Sequence, residues 1–127
     1  MTQPSTNGAP LILVVDDDPH ICQVIQWLLE DEGMSVVTAA DGKEGLDRAT
    51  ERPPSLLILD LTLPTLDGFQ LVEALREMGN VPPILMITAD GSAPEKAARL
   101  GAYAYCRKPF ETSDLLQAVH QGLVGGG

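Results

Sequence analysis

The sequence predicts an α/β fold in which a doubly wound, five-stranded parallel sheet carries helices on both faces. Short, almost wholly apolar runs alternate along the chain with segments whose apolar residues recur at helical spacing. Strands of that composition are typical of parallel sheets that are covered on both faces. The regular alternation favours right-handed crossovers within a single sheet.

The strands are predicted from five apolar runs. Three of them are apolar throughout and give the strongest signal, at residues 11–15, 56–59 and 84–87. Residues 34–39 and 102–106 are weaker candidates, and the second of these contains Tyr103 and Tyr105. Between the runs, the spacing of apolar residues predicts helices.

The first and fourth helices are expected to differ in how firmly they pack. The first has a full aliphatic stripe, formed by Ile21, Val24, Ile25, Leu28 and Leu29. Asp18 is suited to cap it, with Pro19 at its first position and Gly33 just past its end. The helix at residues 92–100 has mostly alanine on its apolar face. We therefore expect it to pack lightly and to be the most mobile helix.

Length and composition limit the class of protein. The chain has 127 residues, which is the length of one domain. We expect a flexible leader at residues 1–10, a folded domain at residues 11–123, and a glycine-rich tail or linker at residues 124–127. The formal net charge of −10 argues against direct binding of nucleic acid or an anionic membrane. Membrane-spanning and signal patterns are not found, and Cys22 and Cys106 fit a reduced cytosolic protein, so we predict a cytoplasmic location.

Polar residues stand where four of the apolar runs end. They are Asp16, Asp17 and Asp18 after the first run, Asp60 after the third, Thr88 after the fourth and Lys108 after the fifth. The carboxyl ends of parallel strands meet at one edge of a sheet, where doubly wound proteins bind their ligands. Carboxylates placed so close together repel one another unless a cation offsets their charge. Mg²⁺ is a suitable cation, because it binds one or two carboxylates together with phosphate and water.

This set of residues predicts phosphoryl chemistry. With a cation present, Asp60 can attack phosphorus and form an acyl phosphate, while Thr88 and Lys108 contact phosphoryl oxygens. Each residue also has a simpler interpretation, and Asp18 in particular fits the role of a helix cap better than that of a metal ligand. Because these residues stand together at the ends of four strands, a shared site for phosphoryl chemistry is favoured over four separate structural roles.

Four motifs resemble those of the response-regulator receiver family, in the family's order and spacing. They are VVDDDP at residues 14–19, LDLTLPTLDG at 59–68, ITA at 87–89 and KPF at 108–110. The similarity extends over residues 11–123. It implies a flavodoxin-like sheet with strand order 2-1-3-4-5 and five helices.

The resemblance also implies a role for individual residues. Asp60 is then the phosphoacceptor and binds Mg²⁺ together with Asp17, the backbone carbonyl of Thr62 and, through water, Asp16. Thr88 and Lys108 contact the phosphoryl group, and the Lys108–Pro109 peptide is expected to be cis. Tyr105 matches the family's switch aromatic, which changes rotamer when the hydroxyl of Thr88 moves toward the phosphate.

The implied partners are those of a phosphorelay. A sensor histidine kinase or a histidine phosphotransfer protein would supply the phosphoryl group, and the chain would catalyse only its own phosphorylation and dephosphorylation. The fourth helix, fifth strand and fifth helix would form the switching surface, used for a homodimer or a downstream effector. Thr62 departs from the family's commoner side chains at that position, where side chains influence the rate of dephosphorylation.

Two alternatives remain open. A phosphatase of the haloacid-dehalogenase type needs a second Asp two residues after its nucleophile, where this chain has Thr62. A pseudo-receiver would use the same fold for protein interaction without phosphorylation. The complete set of acidic, hydroxyl and ammonium side chains argues against that second reading.

Overall fold

Five strands alternate with five helices in the computed structural model, which describes residues 9–61, 68–89 and 91–125. The strands are β1 (Leu11–Val15), β2 (Ser35–Ala39), β3 (Leu56–Asp60), β4 (Ile84–Thr88) and β5 (Ala104–Arg107). The helices are α1 (Pro19–Asp31), α2 (Gly42–Glu51), α3 (Gly68–Glu77), α4 (Ala93–Leu100) and α5 (Thr112–Gly125). The predicted alternation is confirmed, although β5 begins two residues later than the apolar run suggested.

All neighbouring strands are parallel, in the order β2-β1-β3-β4-β5. This confirms the flavodoxin-like doubly wound sheet. In the register of the sheet, Asp60 pairs with Ile87 and Thr88 pairs with Arg107. The carboxyl ends of β3, β4 and β5 therefore lie at one edge of the sheet, as the site prediction requires.

Two apolar layers cover the sheet, one on each face. Side chains alternate along each strand, so that Leu13 and Val15 of β1 face one layer while Ile12 and Val14 face the other. The first layer is completed by α2, α3 and α4, and the second by α1 and α5. Burial on both faces explains why the central strands are apolar throughout.

Aspartate side chains cap the amino ends of the first two helices. Asp18 caps α1 through Oδ1, which accepts a hydrogen bond of 2.9 Å from the backbone N–H of His20. Gly33 follows that helix with φ +90°, a conformation that glycine adopts without strain. Asp41 caps α2 through a 2.8 Å bond from the N–H of Glu44. The predicted capping of α1 is confirmed.

Helix α4 buries little side-chain volume, as its composition predicted. Its buried residues are Ala93, Ala97 and Leu100. The greater mobility expected of α4 stays a prediction. Helix α5 continues two residues beyond Leu123, to Gly125. Residues 1–8 of the leader predicted at residues 1–10, and residues 126–127 of the tail predicted at residues 124–127, lie outside the described residues. Among the described helices, none has the length and apolar character of a membrane span.

Tyr103 joins the loop before β5 to helix α5. Its hydroxyl donates a 2.6 Å hydrogen bond to the carbonyl oxygen of Ala118, and its own backbone N–H donates to Ile84. Burial raises the pKa of Tyr103 to about 12. The ring crosses α5 at Gly122, where a side chain would collide with it. Gly122 is required because the Tyr103 ring approaches the backbone of α5 closely.

Candidate functional site

The site residues are held at the edge of the sheet by the backbone of the strands. The N–H of Asp16 donates to the carbonyl of Ala39 at 3.1 Å, which extends the pairing of β1 with β2 by one residue. The N–H of Lys108 donates to the carbonyl of Thr88 at 2.9 Å, which extends the pairing of β4 with β5 in the same way. Asp60 is itself the last residue of β3. The ends of these strands thus have fixed relative positions.

Three carboxylates meet at this edge. One oxygen from each of Asp16, Asp17 and Asp60 lies within 4.8 Å of the other two. Asp16 and Asp60 are each only 1% exposed, whereas Asp17 is exposed. The cluster is therefore buried on the side of the sheet and open to solvent at Asp17.

Lys108 lies between the two buried carboxylates. Its Nζ is 2.8 Å from Oδ2 of Asp16 and 3.3 Å from Oδ2 of Asp60. The other oxygen of Asp16, Oδ1, accepts a 2.9 Å bond from the N–H of Asp18. Although Oδ2 of Asp16 is close to the ammonium, it accepts no well-directed hydrogen bond from any described residue. Its interaction with Lys108 is therefore mainly an ion pair.

The electrostatics of the cluster favour an added cation. Burial raises the pKa of Asp16, and the nearby charge of Asp60 raises it further, against the opposing effect of Lys108. Burial lowers the pKa of Lys108, but its contacts with Asp16 and Asp60 outweigh that effect and leave the pKa above its ordinary value. Lys108 is therefore protonated at neutral pH. One ammonium faces three carboxylates, so the site is short of positive charge.

The remaining predicted site residues have different settings. Thr88 is fully buried at the end of β4, whereas Tyr105 on the edge strand β5 is 39% exposed. The Lys108–Pro109 peptide is cis, as expected. Thr62 lies outside the described residues. The structure thus brings Asp16, Asp17, Asp60 and Lys108 together.

Two neighbouring contacts were missed by the sequence analysis. The thiol of Cys22 donates to the backbone carbonyl of Asp16 at 3.3 Å, and burial raises its pKa to about 11. A guanidinium nitrogen of Arg107, Nη2, donates to the carbonyl of Gly91 at 3.4 Å. The sequence did contain a hint of each contact. Cys22 lies about one helical turn after the acidic run, and Arg107 directly precedes Lys108.

Comparison with known proteins identifies the family of this chain. The model of the response regulator receiver domain matches residues 12–120. The chain belongs to this family. Receiver domains of two-component systems generally bind Mg²⁺, and three clustered carboxylates that share a single ammonium fit such an ion.

Relatives of this receiver domain include transcriptional regulators. It is 41% identical over 118 residues to the uncharacterized transcriptional regulatory protein YkoG of Bacillus subtilis, covering 91% of this chain and 52% of that protein. It is 40% identical over 113 residues to the transcriptional regulatory protein PrrA of Mycobacterium tuberculosis, covering 87% of this chain and 48% of that protein. The chain thus spans about half the length of these two relatives.

A solved structure gives the same fold. The chemotaxis protein CheY4 of Vibrio cholerae superposes on the receiver domain with a TM-score of 0.84 at 34% identity. The match covers 91% of this chain and 100% of that one. Both the predicted family and the predicted fold are therefore confirmed.

Proposed function

We propose that this receiver domain accepts a phosphoryl group on Asp60 from a histidine kinase or a histidine phosphotransfer protein. The observation that carries the proposal is the setting of Asp60. Its carboxylate ends β3 at the ligand-binding edge of the sheet, beside two other carboxylates and 3.3 Å from the ammonium of Lys108. The ammonium can offset the negative charge of an incoming phosphoryl group while the carboxylate acts as the nucleophile.

The transfer is a substitution at phosphorus. An oxygen of Asp60 forms a bond to phosphorus while the bond from phosphorus to the donor's imidazole nitrogen breaks, and the imidazole leaves with that electron pair. Lys108 pairs with one phosphoryl oxygen, and the hydroxyl of Thr88 donates to another. Lys108 already lies between Asp16 and Asp60, which places its ammonium beside the nucleophile.

The carboxylates of the cluster would hold Mg²⁺. In this proposal Asp17 and Asp60 bind it directly, Asp16 binds it through water, and the backbone carbonyl of Thr62 adds a ligand. When bound, the ion offsets the negative charge of the carboxylates and of the phosphoryl oxygens. The protein then catalyses only its own phosphorylation and dephosphorylation.

The output surface in this proposal is formed by α4, β5 and α5. Movement of the Thr88 hydroxyl toward the phosphoryl group would draw in the loop before α4, and Tyr105 would turn into the space that is vacated. That surface would then bind a second copy or a downstream effector, in the cytoplasm. With a net charge of −10, this segment is not expected to bind nucleic acid directly.

Phosphorylation by a small-molecule donor tests the proposal. The protein is incubated with acetyl phosphate and Mg²⁺, and its intact mass is measured. We expect one phosphoryl adduct that depends on the metal and is lost in hydroxylamine, as an acyl phosphate should be. If the domain instead works as a pseudo-receiver, no adduct will form at any donor concentration.

Metal binding should stabilise the domain, and the effect should depend on Asp17 more than on Asp18. Mg²⁺ at ten times its dissociation constant is expected to add about 1.4 kcal/mol to the free energy of unfolding and to raise Tm by several degrees. Asp17→Ala should weaken Mg²⁺ binding strongly. Asp18→Ala should leave the Mg²⁺ response nearly intact but lower stability by about 1 kcal/mol, because it removes the cap of α1.

Thermal melts of the three proteins across a Mg²⁺ titration would measure both effects. Equal loss of the Mg²⁺ response in the two variants would show that the acidic run has been assigned wrongly. A wild-type Tm that does not change at millimolar Mg²⁺ would argue against a metal site altogether.

Phosphorylation should loosen or reorder the region from Thr88 to Tyr105 and leave α1 unchanged. The reason is packing, since α4 buries mainly two alanines and one leucine while α1 is covered by large aliphatic side chains. Hydrogen exchange with and without beryllofluoride, a mimic of the phosphoryl group, would measure the change. The switch as proposed is wrong if the largest change falls in α1 with none between Thr88 and Tyr105.

A further inference from the structure

Helix α4 is anchored by different means at its two ends. At its carboxyl end, Leu100 is 1% exposed in the core, and the guanidinium of Arg99 lies 4.6 Å from the centre of the Phe69 ring on α3. A cation over an aromatic face at this distance is attracted by the ring. Gly101 then ends the helix in the left-handed conformation, with φ +80°. The carboxyl end of α4 is therefore fixed both to the core and to α3.

At the amino end of α4, Arg107 reaches across from β5. Its Nη2 donates to the carbonyl of Gly91, in the loop that joins Thr88 to α4. Arg107 is paired with Thr88 in the register of the sheet, and the next residue, Lys108, is hydrogen-bonded to the Thr88 carbonyl. The backbone at Arg107 and Lys108 is thus held by the sheet. The loop beyond Thr88 is the part that can move relative to it.

We propose that Arg107 is a positioning residue that holds the loop between β4 and α4 in its unphosphorylated arrangement. The inference rests on the proposed function, because it assigns this contact to the resting state of the same switch. The bond is long, at 3.4 Å, and therefore weak. In this proposal the shift of the loop toward Asp60 breaks it. Helix α4 then pivots about its carboxyl end, where Arg99 stays on Phe69.

This role predicts that removal of Arg107 changes the affinity for a phosphoryl mimic in the direction opposite to that expected from charge alone. Arg107 precedes Lys108, so its positive charge should attract a phosphoryl group, and removing that charge should weaken binding of an anionic mimic. If Arg107 instead stabilises the resting loop, its removal lowers the free energy needed to reach the switched state and tightens binding. The direction of the change therefore separates the two roles.

Beryllofluoride titrations of wild type and Arg107→Gln, followed by amide NMR shifts, test the inference. We expect the variant to bind about two- to fivefold more tightly, the range for loss of one exposed hydrogen bond from a charged donor. Amides in the residue range 89–100 should also exchange faster in the variant before any mimic is added. Arg107→Lys keeps the charge but its ammonium ends one bond short of the position of Nη2, so it should lose the contact with Gly91 and also bind the mimic more tightly than wild type.

Arg52→Gln is the matched control. It removes the same charge at the end of α2, before β3 begins, which is the opposite edge of the sheet from the site. Its affinity for beryllofluoride should stay within about 1.5-fold of wild type. Weaker or unchanged binding by Arg107→Gln, with a normal wild-type response, would overturn this inference and leave the proposed function standing. A wild-type protein that does not bind beryllofluoride at all would overturn both.

Discussion

Asp60→Asn is expected to abolish phosphoryl uptake and to leave the fold intact. The amide of Asn has nearly the shape of the carboxylate but cannot act as a nucleophile toward phosphorus at neutral pH. The side chain is 1% exposed at the end of β3, so a substitution of similar volume should be accommodated without repacking. The ion pair with Lys108 is lost, but Lys108 keeps its 2.8 Å contact with Asp16. Stability should therefore hold, or rise as repulsion among the carboxylates falls.

Intact mass after treatment with acetyl phosphate and Mg²⁺ measures the effect. The wild type should gain one phosphoryl group and the variant none. The phosphorylated fraction of the variant should therefore be lower than that of the wild type by at least about a hundredfold. Asp47→Asn, on the exposed face of α2, is the matched control and should be phosphorylated like the wild type. A full adduct on Asp60→Asn would show that another residue accepts the phosphoryl group.

Gly122→Ala is expected to give a large loss of stability for the addition of a single methyl group. The added Cβ would lie 2.6 Å from Cδ1 of Leu56 and would also collide with the ring and hydroxyl of Tyr103. Leu56 cannot yield easily because it is fully buried, and Tyr103, which is 38% exposed, can turn away only by giving up its hydrogen bond to Ala118. Alanine is the better helix former by about 1 kcal/mol, but the overpacking should outweigh this and give a net loss of about 1–3 kcal/mol.

Urea unfolding monitored by circular dichroism would measure this loss. Gly91→Ala is the matched control, since its Cβ would meet open space among the described residues. That control should stay within about 0.5 kcal/mol of wild type. If Gly122→Ala proves as stable as the control, then Tyr103 does not pack closely on α5 at this position.

The sequence alone was enough to predict the fold and the place of the site. Apolar runs with little alternation indicated a parallel sheet covered on both faces, and the helical stripes between them indicated the crossovers. Because parallel strands end at one edge, the residues that follow them could be predicted to meet there. That reasoning predicted that Asp16, Asp17, Asp60 and Lys108 would be neighbours, and the structure brings these four together. The role of Thr88 stays a prediction.

Contacts between side chains of distant elements were decided only by the tertiary structure. The sequence placed Lys108 near the acidic cluster, but not between two buried carboxylates with one oxygen of Asp16 still lacking a directed hydrogen bond. It likewise gave no sign that Tyr103 crosses α5 at Gly122, or that Arg107 reaches the loop before α4. The physical reason is that local periodicity reports which face of an element is buried. Which side chains meet across that face depends on how the elements pack, and the chain specifies this only once all of them are assembled.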